Sequence, residues 1–275
     1  MKTALVTGVS TGIGAVTAKL LLDRGYRVFG TVRKAPDAEP LCAQSPERFE
    51  TIVADLGGAD GRAAVIRQLT ERLEDRPLDV LVNNAGIARL AAWEFISADN
   101  VRDHFEVNVF AVVELCQGAI PLMRPGAKII NVSSVNGEVV TPFIGTYSAT
   151  KHALEAMSAS MAMELRPRGI GVHVVAPGPV RTAIWEKMHN VDEKTAASFP
   201  EAMAFFEKVA KQASTRGMPA ETIAAKIVDI AEGKARRYRY VLTVMALTNH
   251  VLPKILPRST VHDTMSRMFG LKRAD

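Results

Sequence analysis

The chain has 275 residues, of which 48% are hydrophobic and 23% charged, so it can bury one large core without needing a second domain. No uninterrupted apolar run reaches the roughly 18 residues of a bilayer span, and the opening Met1-Lys2-Thr3-Ala4-Leu5-Val6-Thr7-Gly8 meets glycine too soon for a secretory signal, so a cytoplasmic protein is expected. The net charge of +5 sits in the tail, where nine Lys/Arg from Lys234 onward face two Asp; the body is slightly acidic, which argues against a nucleic-acid partner.

Residues 3–7 read as a short apolar strand. Gly8, Gly12 and Gly14 follow within Thr7-Gly8-Val9-Ser10-Thr11-Gly12-Ile13-Gly14, and a helical pattern continues through Val16, Leu20, Leu21 and Leu22. Strand, glycine turn and helix are the parts of a dinucleotide cradle: Gly8 permits the turn, Gly12 lets backbone approach phosphate, and Gly14 allows close helix packing. The second strand, 25–33, ends in Val32-Arg33-Lys34. A carboxylate there would bind the 2′-hydroxyl of NAD; the guanidinium of Arg33 suits the 2′-phosphate of NADP, so NADP is favoured and NAD is the alternative.

A third strand is expected over 49–56, with Asp55 either capping the next helix or meeting the adenine beside Leu56. Helix 60–74 leads to the strand 78–82, which breaks into Asn83-Asn84-Ala85-Gly86; its amides can brace neighbouring strands and its small residues leave room for a ribose. Asn100 to Pro121 reads as one long helix carrying Asn108 on or beside its apolar face. An amide there needs partners, either as a structural brace or in a water network. A fifth strand ends in Ser133-Ser134, and a sixth, 171–176, ends in Pro177-Gly178-Pro179-Val180-Arg181-Thr182. Alternating strands and helices imply a doubly wound parallel α/β sheet, Rossmann-like, whose ligands gather at the carboxyl ends of the strands. Cys42 and Cys116 are the only cysteines, and neither a disulfide nor a metal site is expected.

Tyr147 and Lys151 lie four residues apart, on one face of a helix. An ammonium beside the phenol would favour the phenolate, which lowers its pKa and lets Tyr147 move a proton to or from a substrate oxygen.

Together, Thr-Gly-x3-Gly-Ile-Gly (7–14), Asn-Asn-Ala-Gly (83–86), Ser134, Tyr-x3-Lys (147–151) and Pro-Gly-x-Val-x-Thr (177–182) resemble the short-chain dehydrogenase/reductase family over about residues 3–182. The resemblance implies an NADP(H)-dependent oxidoreductase of alcohols and carbonyls. It implies a catalytic tetrad in which Tyr147 is the general acid/base, Lys151 lowers its pKa and holds the nicotinamide ribose, Ser134 stabilises the substrate oxygen, and Asn108 holds a relay water. Ser134 is chosen over Ser133 by its separation of thirteen from Tyr147 and because Ser133 would point to the opposite strand face. Thr182 would orient the carboxamide, and Asn84, Ala85 and Gly86 would line the ribose. Thr11 stands where the family often has serine, and either hydroxyl can serve that turn. The family also implies a homodimer or homotetramer.

Residues 1–275 are expected to form one domain: a core over 1–182, a substrate lid over 183–216 and a C-terminal region over 217–275. The lid's Ile184, Trp185, Met188, Phe199, Met203, Phe205, Phe206 and Val209 either close over an apolar alcohol or ketone (steroid, retinoid or long aliphatic) or pack helices onto the body. Residues 238–245 alternate like a seventh strand. The basic, amphipathic segments beyond, 247–256 and 265–271, suit a flap over the substrate mouth or a subunit contact better than a membrane surface. A dinucleotide sensor without turnover is the non-enzyme alternative; such a protein would be expected to lose part of the tetrad.

Overall fold

The computed structural model describes residues 1–182, 185, 191–244, 246 and 250–271. Seven parallel strands lie in the order β3-β2-β1-β4-β5-β6-β7. β1 (Thr3–Val6) is followed by α1 (Gly12–Asp23), β2 (Arg27–Val32), β3 (Phe49–Val53), α2 (Ala59–Leu73) and β4 (Val80–Asn83). A helical run then comprises α3 (Ala98–Phe105), a π-helical turn (Glu106–Phe110) and α4 (Ala111–Ala119). The second half contains β5 (Lys128–Val132), α5 (Gly145–Glu164), β6 (Gly171–Pro177), α6 (Pro200–Arg216), α7 (Ala220–Ala231), β7 (Arg239–Leu242) and α8 (Arg258–Met268).

Because successive strand residues face opposite sides, each strand feeds two cores. Ala4, Val6 and Val28 pack with Leu21 of α1 and Ile227 of α7. Leu5, Phe29, Leu81 and Ile129 pack on the other face with Leu69 of α2, Leu115 of α4 and Leu154 of α5. Burial on both faces is why the strands read as apolar runs without a polar alternation. The strand order reverses between β1 and β4, which opens a crevice at their carboxyl ends.

Several strands end earlier than their sequence suggests. β3 stops at Val53, so Asp55 and Leu56 lie in the loop; β5 stops at Val132, so Ser133 and Ser134 lie beyond the pairing; and β7 covers only 239–242 of the expected 238–245, with Met245 outside the described residues. The long helix expected over 100–121 is interrupted by the π turn, which Arg62 clasps by pairing with Glu106 and Glu114, each at 2.8 Å. By length and composition the stretch 98–122 would suffice for a membrane span, contrary to the sequence expectation. Its charged first turns interrupt the apolar run, and it packs against α2 and α5.

A buried polar chain locks the middle of the sheet. Asn83 of β4 donates to Asn131 of β5 at 2.8 Å, Asn131 donates to Ser158 of α5 at 2.8 Å, and Ser158 donates to the Leu154 carbonyl at 2.6 Å. Asn131→Ala takes one hydrogen-bond partner from each of two buried side chains, and the expected cost is about 1–3 kcal/mol, read as a lower urea midpoint with an unchanged m-value.

Candidate active site

The glycine turn is shaped by its neighbours. Gly8 and Gly12 have φ of +71° and +63°, where side chains are strained. A Cβ at Gly8 would lie 3.1 Å from Cα of Ala85, one at Gly12 would lie 3.1 Å from Cγ2 of Thr182, and one at Gly14 would collide with the Gly8 carbonyl and Nδ2 of Asn84. The turn is pinned to the end of β4. The amides of Asn84 and Ala85 donate to Oγ1 of Thr7 at 2.9 and 3.0 Å, while Nδ2 of Asn84 donates to the carbonyls of Thr7 and Gly8 at 2.9 and 3.2 Å. Thr11 precedes α1 without a side-chain capping bond. The helix's first N–H groups therefore lack that partner, as an anion-binding helix start requires.

A cavity of about 610 Å³ runs from this turn along the strand ends. At one end it meets Ser10, Thr11, Gly12 and Ile13, with Arg33, Asp55 and Leu56 beyond. Asp55 does not cap α2, whose N-cap is Gly58; its Oδ1 accepts from the Gly57 amide at 3.0 Å and so shapes the turn before the helix. In the middle lie Asn84, Ala85, Gly86, Pro177, Gly178, Val180 and Thr182. The residues present thus fit a dinucleotide, with glycines where a side chain would close the cradle and a cation beside the β2 end.

Tyr147 and Lys151 of α5 stand farther along the cavity with Ser134. Lys151 is 4% exposed, its Nζ donates to the Val132 carbonyl at 2.9 Å and lies 5.6 Å from the Tyr147 ring centre. Oγ of Ser134 accepts from the Asn136 amide at 3.1 Å, and its hydroxyl lies close enough to the Tyr147 phenol to act on it. Burial pushes the Tyr147 phenol above its ordinary 10.0, with the Ser134 bond opposing. Burial also pulls Lys151 down to about 8, with the charge of Glu155 opposing. The lowered phenol expected from sequence is therefore corrected: desolvation raises it with only Ser134 opposing, while the Lys151 ammonium directs a proton at the Val132 carbonyl.

Ser133 and Ser134 both line the cavity, so the opposite-face reasoning fails beyond the strand end; Ser134 alone of the two acts on the Tyr147 phenol, and Oγ of Ser133 is buried without a partner. The Asn108 side chain is a brace. Its Oδ1 accepts from the Ile87 amide at 2.8 Å, and its Nδ2 donates to the Ile87 carbonyl at 2.9 Å and to Oγ1 of Thr150 at 3.0 Å. Thr150 in turn donates to the Tyr147 carbonyl at 2.7 Å, so the π turn is tied to the catalytic helix.

The mouth is apolar. Trp185, Phe206 and Val209 line it with Ile144, while Phe199, Met203 and Phe205 pack in the cluster around Phe143. The two readings of the lid thus apply to different residues; Ile184 and Met188 lie outside the described residues. Met265 of α8 and the adjoining Phe269 roof the same mouth, Phe269 stacking edge-on with Phe205 at 4.9 Å. They fall within 265–271, expected to form either a flap over the mouth or a subunit contact, and they take the first of those places. Asn136, two residues past Ser134, lines the cavity without having been anticipated. Leu247, Thr248 and Asn249 are outside the described residues.

The profile of the short chain dehydrogenase family matches residues 2–193, and the chain belongs to that family. It is 32% identical to an NADPH-dependent 3-dehydrocapnine reductase of Ornithobacterium rhinotracheale, over 94% of this chain and 93% of that one. It is also 32% identical to a 3-ketodihydrosphingosine reductase of Bacteroides thetaiotaomicron, over 86% and 85% of the two chains. A short chain dehydrogenase of Burkholderia cenocepacia, solved in complex with NADP, superposes with a TM-score of 0.71 at 29% identity, covering 88% of this chain and 95% of that one. The protein is therefore an oxidoreductase of hydroxyl and carbonyl groups.

Gly14→Ala forces the Gly8 carbonyl and Asn84 apart, and NADPH binding measured by fluorescence titration is expected to weaken about tenfold or more. Gly58→Ala, whose Cβ would meet nothing within 4 Å, is expected to leave it unchanged.

Proposed function

We propose that the protein reduces the ketone of an apolar, long aliphatic substrate, with Tyr147 as the proton donor. The observation that carries this reading is the placing of Tyr147 and Ser134 in one cavity, where the polar groove meets the apolar mouth, with burial pushing the phenol above its ordinary value. NADPH, when bound, supplies the hydride. Ser134 fixes the carbonyl oxygen and stabilises charge growing on it. Tyr147 then gives that oxygen its proton, and a phenol raised by burial is in the donor form throughout the neutral range. Lys151, anchored on Val132, holds the ribose and supplies positive charge beside the phenolate left behind. Arg33 selects the 2′-phosphate.

Trp185, Phe206, Met265 and Phe269 exclude water and receive an apolar chain. That two relatives are named for reducing a 3-dehydro or 3-keto compound favours an aliphatic ketone over a steroid or retinoid. We also read residues 1–275 as one domain and the protein as cytoplasmic. Exposed Phe110 and Met163 on the α4 and α5 side support assembly into a homodimer or homotetramer.

With 3-ketodihydrosphingosine as the probe, Tyr147→Phe is expected to lose about 100-fold or more in kcat while NADPH affinity stays within about twofold. Wild-type turnover should be sustained below pH 8 and fall as pH rises through about 8, where Lys151 loses its proton; Lys151→Met abolishes that limb together with most activity. Arg33→Ala is expected to weaken NADPH binding about tenfold and leave NADH binding unchanged; equal losses for both cofactors would remove Arg33 from 2′-phosphate recognition.

A further inference from the structure

Behind the catalytic residues lies an ionic node that the reaction itself does not use. Glu155 is on α5 one turn after Lys151 and two turns after Tyr147, so the three share a helix face. Its two oxygens accept from Nε and Nη2 of Arg239 at 3.0 and 3.1 Å, a bidentate pair whose side chains are only 15% and 16% exposed. Nη1 of the same guanidinium lies 3.1 Å from Oε2 of Glu138. Glu138 closes the single 3₁₀ turn whose first residue is preceded by Ser134, and the turn is stiffened by bonds from the Gly137 amide to the Ser134 carbonyl at 3.0 Å and from the Glu138 amide to the Val135 carbonyl at 3.2 Å.

Arg239 itself is held by the sheet. It stands opposite Val174 in the β6–β7 pairing, and the preceding Tyr238 donates from its hydroxyl to the Glu155 carbonyl at 3.4 Å. Close approach is built into the backbone as well. A Cβ at Gly137 would lie 2.9 Å from both Oγ of Ser133 and Cγ of Glu155, so only glycine lets the serine turn sit this near the helix. Three elements distant in sequence therefore converge on one guanidinium: the turn carrying Ser134, the helix carrying Tyr147 and Lys151, and the edge strand.

We propose that Arg239 is a positioning residue that sets the separation between Ser134 and Tyr147 by holding Glu138 and Glu155 together. Without it, two carboxylates face each other across a mostly buried gap, and their repulsion moves the serine turn away from the helix. The hydroxyl pair is then misplaced at the reacting oxygen, where displacements of about 1 Å cost up to roughly 100-fold in rate. Lys254 and His250 also contact Glu138, at 2.7 and 3.1 Å, so the C-terminal segment is a competing explanation for the turn's position.

The kinetic part of the test rests on the proposed ketone reduction; the structural part does not. Hydrogen exchange on the full-length protein saturated with NADPH is measured for Arg239→Met, Arg239→Lys, Glu138→Gln and Lys254→Ala. Faster exchange confined to residues 134–141 is expected in Arg239→Met and Glu138→Gln, intermediate exchange in Arg239→Lys, and no change in Lys254→Ala. Unchanged exchange of 134–141 in Glu138→Gln, or an equal rise in Lys254→Ala, would overturn the proposal, and either can be read even if Arg239→Met does not fold. With 3-ketodihydrosphingosine, Arg239→Met should lose roughly tenfold or more in kcat per NADPH-binding site with NADPH affinity unchanged, partly restored in Arg239→Lys. Wild-type protein inert towards that ketone would count against the substrate reading alone, because the exchange result stands without turnover.

Discussion

Everything in the site depends on burying an ammonium and a phenol side by side. Taking Lys151 out of water is costly unless its charge finds partners, and the Val132 carbonyl at the end of β5 supplies one at 2.9 Å. The carbonyl that receives Lys151 lies at the end of the strand pairing, where the chain turns away towards Ser134. One strand end thus fixes the lysine by its backbone and places the serine two residues later. The same burial that pulls Lys151 down raises Tyr147, so desolvation drives the two groups in opposite directions and leaves a proton-bearing phenol beside an ammonium that gives up its proton more readily than usual. A group that is to protonate a carbonyl oxygen must first hold its proton at neutral pH, and burial keeps it there.

The sheet makes this arrangement rigid and leaves it open only where a ligand must enter. Asn83, Asn131 and Ser158 tie two central strands to the catalytic helix from inside the core, while Asn108 and Thr150 tie the same helix to the π turn from the other side. The π turn shifts the helix register at Asn108, which lets its amide satisfy both backbone groups of Ile87. Thr7 and Asn84 perform the corresponding task for the glycine turn. Hydrogen-bonded polar side chains are spent on holding loops, and the cavity between those loops is left for cofactor and substrate.

Where residue type alone dictates the conformation, the sequence was a sufficient guide. Glycines at positive φ, an Asn-Asn-Ala-Gly strand end and Tyr-x3-Lys on one helix face admit few substitutes, so the parallel sheet and the cavity lining could be read directly. Strand ends were less legible because extended-looking residues continue past the last backbone partner: the Ala54 amide makes the final bond, to the Val32 carbonyl at 2.9 Å, and Asp55 and Leu56 follow with β2 already ended. The π turn leaves no distinctive residue pattern. The direction of the Tyr147 shift was misjudged because a sequence shows that Lys151 is near but not that both groups are desolvated. The roof over the mouth depends on Met265 and Phe269, whose approach to Phe205 and Phe206 is a matter of tertiary packing.

The most direct measurement is an ultraviolet difference titration of the tyrosines, comparing the cofactor-free wild type with Tyr147→Phe to isolate one phenol among four. The account predicts that the Tyr147 phenol ionises above the ordinary tyrosine value of 10.0, well after Lys151 has lost its charge at about 8. Ionisation of Tyr147 near neutrality would contradict it, because the ammonium would then outweigh burial and the site would rest as a base ready to oxidise an alcohol.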